Sequence, residues 1–181
     1  MQPLANITNE EQSVWAIDPS HTTVEFTIRN LFVFTVKGTV AASEGTIVLD
    51  PRSVSGSSVT AVLQPSSINT GNQRRDEHLR SPAYLDANRF PEIRFQSSRV
   101  EPGIDRDTLR VTGTLTIKSQ SKEIVLDVSE IDRSRSPSGE YIAYYGARTE
   151  LDRHDFQVGG MPLLIGRRVE IAINVQATKR M

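Results

Sequence analysis

The chain of 181 residues contains no cysteine, so disulfides, thiolate metal sites and a cysteine nucleophile are all excluded. It also lacks an excess of either charge, since 21 basic and 22 acidic residues give a formal net charge of −1. That balance argues against a nucleic-acid groove or a polybasic membrane patch. No hydrophobic run approaches the roughly 18 residues that a membrane helix needs. We therefore expect no nucleic-acid partner and no stable membrane insertion.

The beginning of the chain lacks the features of a targeting signal. It reads MQPLANITNEEQ, which is polar and acidic, with neither a basic region nor an apolar core. We therefore expect a cytoplasmic protein. Hydrophobic residues make up 37% of the chain and charged residues 24%, which is typical of a globular domain. We interpret residues 1–13 as a flexible leader and residues 14–181 as a single domain.

Alternation with period two dominates the chain and predicts strands with one face turned inward. The apolar positions of these runs are Val24, Phe26 and Ile28; Phe32, Phe34 and Val36; Leu109, Val111, Leu115 and Ile117; Ile124, Leu126 and Val128; and Val169, Ile171, Ile173 and Val175. Turn signals such as Pro102-Gly103 recur about every ten residues, which favours an antiparallel barrel or sandwich. Gly113 lies on an apolar face, where its missing side chain indicates a bend, a bulge or a close approach by another group.

A dense polar segment from Arg74 to Ser97 interrupts the strand pattern. Within it we predict a short helix over residues 73–86, with Ser81 as a cap and Pro82 at a first helical position. The segment also carries His78 beside Asp76 and Glu77. A catalytic triad would need a serine on that histidine, and no Gly-x-Ser-x-Gly elbow is present. We favour a hydrogen-bonded loop that locks the helix over the strands.

Other candidate chemistry is weak. None of the three histidines has metal-ligand spacing, and we read His21 as a turn hydrogen-bonding residue. Glycine-rich phosphate loops are absent, so we expect neither a metal nor a cofactor. Arginines such as Arg75 and Arg153 are able to hold an anionic head group near a barrel mouth, although surface ion pairing explains most of them.

Bulky rings occupy inward-looking positions on several strands, namely Trp15, Phe26, Phe32, Phe34, Phe95, Tyr141 and Tyr145. A barrel of about eight strands is just wide enough either to be filled by such side chains or to hold one small ligand. Composition leaves both outcomes open.

Several ordered segments together resemble the YceI-like family of polyisoprenoid-binding proteins, which have a lipocalin-like antiparallel barrel. The segments are WAIDPSHT at 15–22, VKGTV at 36–40, RDEHLRS at 75–81, FPEIRFQS at 90–97, VTGTLTI at 111–117 and LDRHDF at 151–156. The chain departs from the family at Asn30, where histidine is common. Asparagine is not a base near neutral pH, so this position is not expected to be catalytic.

The resemblance implies a non-enzymatic protein that binds a long-chain isoprenoid or a fatty-acid-like amphiphile inside the barrel. By parity, the expected wall residues are Phe26, Ile28, Phe34, Val36, Phe95, Val111, Leu115, Tyr141 and Tyr145, with Arg75, His78 and Arg153 toward the polar end of the ligand. We expect that polar end near the His78 loop. Two alternatives stay open: a lipid hydrolase or isomerase that uses the His78 loop, and a filled barrel with a structural or stress-response role. A homodimer through an exposed strand edge is also compatible with the sequence.

Overall fold

The computed structural model describes residues 11–30, 34–159 and 165–181. These residues form nine strands and one α-helix. The strands are β1 Ser13–Ile17, β2 Thr23–Arg29, β3 Thr35–Leu49, β4 Ser58–Asn69, β5 Ile93–Pro102, β6 Thr108–Ile117, β7 Gln120–Arg135, β8 Tyr141–Asp152 and β9 Arg168–Lys179. The helix α1 spans Gln73–Arg80, and short 3-10 turns lie at Pro19–His21, Val54–Gly56 and Arg153–Phe156.

The nine strands close into an antiparallel barrel with eight strand positions. Strands β1 and β2 both pair with β3 on one side and with β9 on the other, so they form one interrupted strand. The break between them holds the Pro19–His21 turn. The remaining strands pair in chain order, and the β3–β4 pairing closes the ring. The predicted antiparallel barrel of about eight strands is confirmed.

Because neighbouring strands are antiparallel, the connections alternate between two ends of the barrel. The Trp15 end carries the start of β1, the β3–β4, β5–β6 and β7–β8 connections, and the last residues of β9. The α1 end carries the β2–β3 connection, the segment between β4 and β5 with its helix, and the β6–β7 and β8–β9 connections. These two names are used below.

The predicted helix exists, but it spans Gln73–Arg80 and not the whole of residues 73–86, and its capping differs from the prediction. Asn72 is the N-cap, and its side-chain oxygen accepts a hydrogen bond from the Arg75 N–H at 3.0 Å. Ser81 ends the helix instead of starting one, because its N–H and hydroxyl both donate to the His78 carbonyl. We expected the flexible leader to end at residue 13, but Ser13 already pairs with Leu49 in the sheet. Residues 1–10 of the expected leader, and Phe32, lie outside the described residues.

Two glycines in the wall make room for two aromatic rings. A Cβ atom added to Gly38 would lie 2.5 Å from Cζ of Phe26, and one added to Gly113 would lie 2.6 Å from Cζ of Phe95. The close approach predicted at Gly113 is therefore confirmed. Each ring packs against the backbone of a neighbouring strand, so part of its bulk is held in the wall and less of the interior is filled.

Candidate ligand-binding cavity

The barrel encloses an apolar cavity of about 240 Å³. Its wall takes residues from every strand, and nearly all of them are aliphatic or aromatic. Protein interiors are close-packed, and voids larger than a water molecule are few. The barrel is therefore hollow, and the filled barrel left open by composition does not fit this interior.

An apolar plug closes the cavity at the α1 end. Leu85 and Ile68 are buried there against Phe26 and Val40, with Leu79, Val158 and other partly buried side chains around them. A second cluster places the ring of Phe156, which is 2% exposed, against wall residues of β5 and β6. Leu85, Ile68 and Phe156 do not line the cavity. They lie behind its wall and separate the cavity from the helix.

The charged motif around α1 ties the helix to the end of β4. Asp76, which is buried, accepts hydrogen bonds from the N–H of Thr70 at 2.9 Å and from its hydroxyl at 2.6 Å. Arg75 donates to the hydroxyl and the carbonyl of the same threonine. Arg80 donates to the carbonyls of Ser66 and Ile68. These contacts account for most of the charges in the motif without a ligand.

The structure places His78 and Arg75, which we expected near the ligand's polar end, outside the cavity wall. His78 is exposed, and its ring meets Tyr84 edge to face with centroids 4.9 Å apart. Neither His78 nor Arg75 lines the cavity, since the apolar plug lies between. The hydroxyl of Ser81 donates to the His78 carbonyl and not to its ring, so this loop assembles no serine–histidine pair.

Arg153, which we also expected toward the polar end of the ligand, does not line the cavity. The residue is 4% exposed, and its guanidinium donates to the carbonyls of Val158, Gly159, Ile165 and Gly166 at 2.8 to 3.2 Å. A buried guanidinium surrounded by carbonyl oxygens holds the backbone of a loop in place. We assign Arg153 to the β8–β9 connection.

Five of the predicted wall residues line the cavity: Phe26, Phe95, Val111, Leu115 and Tyr145. Ile28 and Val36 belong to the apolar plug instead. Phe34 is 76% exposed beside the β2–β3 connection, and Tyr141 is 48% exposed at the start of β8. Both continue the inward parity of a strand, but Phe34 lies just before β3 and Tyr141 is the first residue of β8. Each is beyond the enclosed region, so parity alone does not place them in the wall.

Sequence reasoning missed the polar rim of the cavity at the Trp15 end. Ser57 and Ser58 border the cavity beside Leu49, and Ser58 is exposed, so the cavity reaches the surface at the β3–β4 connection. Thr22, in the break before β2, lines the wall and its hydroxyl accepts from the Gln176 N–H at 3.4 Å. Ser57 and Thr22 directly follow 3-10 turns, and Ser58 is the first residue of β4, so no alternation precedes them to indicate which way their side chains point.

The Trp15 end also contains an aromatic and charged cluster. Trp15 is 3% exposed and packs with Ala143, Tyr145 and Ala177. The guanidinium carbon of Arg133 lies 5.5 Å from the centroid of the Trp15 ring. The same guanidinium donates to the two carboxylate oxygens of Glu130 at 2.6 and 3.0 Å. This half-exposed ion pair covers the tryptophan from the solvent side.

Outside the barrel, His21 takes part in a turn, as predicted. Its Nδ1 lies 2.7 Å from one oxygen of Asp18, while the Ser20 hydroxyl donates to the other at 2.6 Å. These two hydrogen bonds lower the pKa of Asp18 to about 2. The Ser20 hydroxyl also lies 3.3 Å from the same Nδ1. A nucleophile–base relay needs the serine and the aspartate on opposite nitrogens of the ring, so these three side chains do not form one.

Among residues 11–30, 34–159 and 165–181 no group of three His, Asp or Glu side chains is placed to hold a metal ion. In the same part of the chain, no helix has the length and apolar character needed to span a membrane.

A closed antiparallel barrel with a hollow apolar centre is the architecture of proteins that bind one small apolar molecule internally. The chain belongs to the YceI-like family, whose domain profile matches residues 15–177. Protein YceI of Salmonella newport is 28% identical over 160 residues, which cover 88% of this chain and 83% of that protein.

Solved structures share the fold. The Campylobacter jejuni YceI protein superposes with a TM-score of 0.70 at 28% identity, covering 84% of this chain and 90% of that one. A polyisoprenoid-binding domain from Saccharophagus degradans superposes with a TM-score of 0.63 at 10% identity, covering 92% of this chain and 98% of that one. The second likeness concerns the fold alone.

Proposed function

We propose that this protein binds a long-chain isoprenoid, or a similar apolar amphiphile, inside its barrel, and carries or stores it without chemical conversion. The apolar cavity of about 240 Å³ is the observation that supports this role. Burial of apolar surface contributes roughly 25 cal/mol per Å², so a long tail gains affinity from such a wall with few polar contacts. Membership of the YceI-like family and the fold shared with a polyisoprenoid-binding domain agree with it.

We propose further that the tail points toward the α1 end and the polar head toward the Trp15 end. The apolar plug around Leu85 and Ile68 seals the α1 end. Polar wall atoms occur near the opposite end, at Ser57 and Ser58. A head group that keeps its hydration at a surface opening avoids the cost of burial without hydrogen bonds.

A non-catalytic role is supported by the contacts of the side chains that could act as acids, bases or nucleophiles. His78 contacts Tyr84 edge to face, Asp76 accepts hydrogen bonds from Thr70, and His21 and Ser20 both bond Asp18. Each of these side chains lies outside the cavity wall, so none is placed to act on a molecule held inside it.

Extraction of the purified protein with organic solvent, followed by mass spectrometry, tests the proposed function. We expect about one long-chain lipid per protein molecule, recovered after native purification without detergent. Denatured and refolded protein is the control, and it should regain lipid only when lipid is added. Recovery of trace lipid alone, with no uptake of added polyisoprenoid, would overturn the proposal.

A further inference from the structure

One residue of the cavity wall carries a buried hydroxyl without a hydrogen-bond partner. Two fully buried side-chain polar atoms in the described residues lack a partner, Tyr145 Oη and Asn30 Oδ1. Asn30 does not line the cavity and directly precedes residues 31–33, which are not described. Tyr145 is 7% exposed and lines the cavity. A buried hydroxyl without a partner is unfavourable and calls for a physical explanation.

Tyr145 keeps its proton at neutral pH. Burial raises the pKa of Tyr145, and the nearby Glu130 carboxylate raises it further, while the Arg133 guanidinium opposes this. The guanidinium lies close enough to Oη to lower that pKa by a donated contact as well as by its charge, although the contact falls short of full hydrogen-bond geometry. A guanidinium has only donors, so it offers the O–H no acceptor. The hydroxyl is therefore a donor for which the described residues supply no acceptor.

A β-bulge places charged groups beside this hydroxyl. Glu130 pairs with Tyr145 and Arg133 pairs with Ala143, although regular antiparallel pairing would put residue 132 opposite Ala143. The extra residue, Ile131, lies between the two. Paired residues of neighbouring strands share a face of the sheet, so Glu130 and Arg133 both lie on the same face of the sheet as Tyr145. Bulges commonly re-aim side chains in this way beside functional sites.

We propose that the Tyr145 hydroxyl and the Arg133 guanidinium bind an uncharged acceptor oxygen, such as a ketone, ester or quinone carbonyl, at the head of the amphiphile. The proposal rests on the proposed function, because the tail occupies the barrel. Both groups donate hydrogen bonds, so a ligand atom that contacts them must be an acceptor. Glu130 already pairs with Arg133, so these two side chains together carry no net charge. A pyrophosphate would add negative charge beside that carboxylate, so we favour an uncharged head.

Three probes with a common farnesyl skeleton test the proposal: farnesylacetone, which is a ketone, farnesyl pyrophosphate, and the hydrocarbon farnesane. Trp15 is the single tryptophan of the chain and packs against Tyr145, so its fluorescence reports binding to delipidated protein. We expect wild-type protein to bind farnesylacetone more tightly than farnesyl pyrophosphate.

The decisive variant is Tyr145→Phe, which removes only the hydroxyl. We expect its affinity for farnesylacetone to fall about fivefold, which is the effect of one hydrogen bond, and its affinity for farnesane to stay within about twofold. Tyr144→Phe is the matched control, because Tyr144 directly precedes Tyr145 on β8 and therefore lies on the opposite face of the sheet. It should change neither affinity. Since the lost hydroxyl had no partner, Tyr145→Phe should melt at or above the wild-type temperature.

Different outcomes separate the two proposals. Unchanged farnesylacetone affinity in Tyr145→Phe, an equal loss for farnesane, or tighter binding of farnesyl pyrophosphate by wild-type protein would overturn the head-group site and leave the tail-binding function standing. Failure of wild-type protein to bind any of the three probes would overturn the proposed function and this site with it.

Discussion

At the scale of single residues, Arg153 shows how a buried charge serves the fold. Its guanidinium meets four backbone carbonyls of one connection. We expect Arg153→Gln to lower the free energy of unfolding by about 3 kcal/mol, since hydrogen bonds to charged groups are strong and the carbonyls lose their donor. Urea denaturation measures this. Arg110→Gln, at an exposed strand position, is the control and should stay within about 0.5 kcal/mol of wild type.

Arg153 would lose its structural assignment if the two variants unfolded at the same urea concentration. Unchanged stability together with loss of ligand would return Arg153 to the ligand contacts that the sequence first indicated.

Asp18 gives a pH-dependent prediction at the same scale. The Ser20 hydroxyl and His21 lower its pKa to about 2, below the roughly 3.9 of an unfolded aspartate. Its stabilising contribution is therefore complete above about pH 5 and is lost as the pH falls through the folded pKa. We expect Ser20→Ala to raise the pKa of Asp18, as followed by NMR titration of the carboxyl carbon. An unchanged titration midpoint would show that the serine does not hold this carboxylate.

At the scale of elements, the ring-and-glycine pairs of the wall keep the interior open. A Cβ at Gly113 would lie 2.5 Å from the Gln96 carbonyl oxygen as well as against Phe95, and a backbone atom does not move as easily as a side-chain tip. We expect Gly113→Ala to cost about 2 kcal/mol of stability, as overpacking commonly does. Gly146→Ala on β8 is the matched control, because the nearest atom to its Cβ, on Ile131, lies 3.4 Å away. Equal melting temperatures for the two variants would contradict this account.

Alternation along the strands predicted part of the cavity wall from the sequence. Alternation indicated which face of a strand points inward, and Val111 and Leu115 lie where it placed them. It carries no information on height along the barrel axis, so it misplaced Phe34 and Tyr141 at strand ends. The pairing of Arg133 with Ala143 depends on the bulge at Ile131, and the inward-facing positions beyond a bulge do not follow from period-two alternation alone.

The polar segment around α1 shows a related limit. Its charges are neighbours in sequence, which suggested a site. In the fold, Arg75, Asp76 and Arg80 all turn back to residues 66–70 at the end of β4. Four of their six hydrogen bonds involve backbone groups and the other two the Thr70 hydroxyl, and bonds to the backbone leave no signature in residue type. The helix anchors the connection over the apolar plug.

At the scale of the whole molecule, the barrel is hollow. The apolar plug closes its α1 end, and polar groups border its cavity at the Trp15 end. Its wall is apolar, and its polar rim comes from residues that directly follow turns and from a bulged strand. The central claim is that the ligand occupies the interior. It predicts that bulk added to the inner wall displaces the ligand, while the same bulk on the outer face does not.

Native mass spectrometry of two substitutions tests that claim most directly. Ala147 lines the cavity, whereas Ala172 lies on the opposite parity of β9 from the wall residues Ile171 and Ile173. We expect Ala147→Phe to fold, since the cavity has room for a ring, and to retain less than about a tenth of the bound lipid. Ala172→Phe should retain about one lipid per molecule. Full lipid occupancy in a folded Ala147→Phe protein would contradict binding inside the barrel.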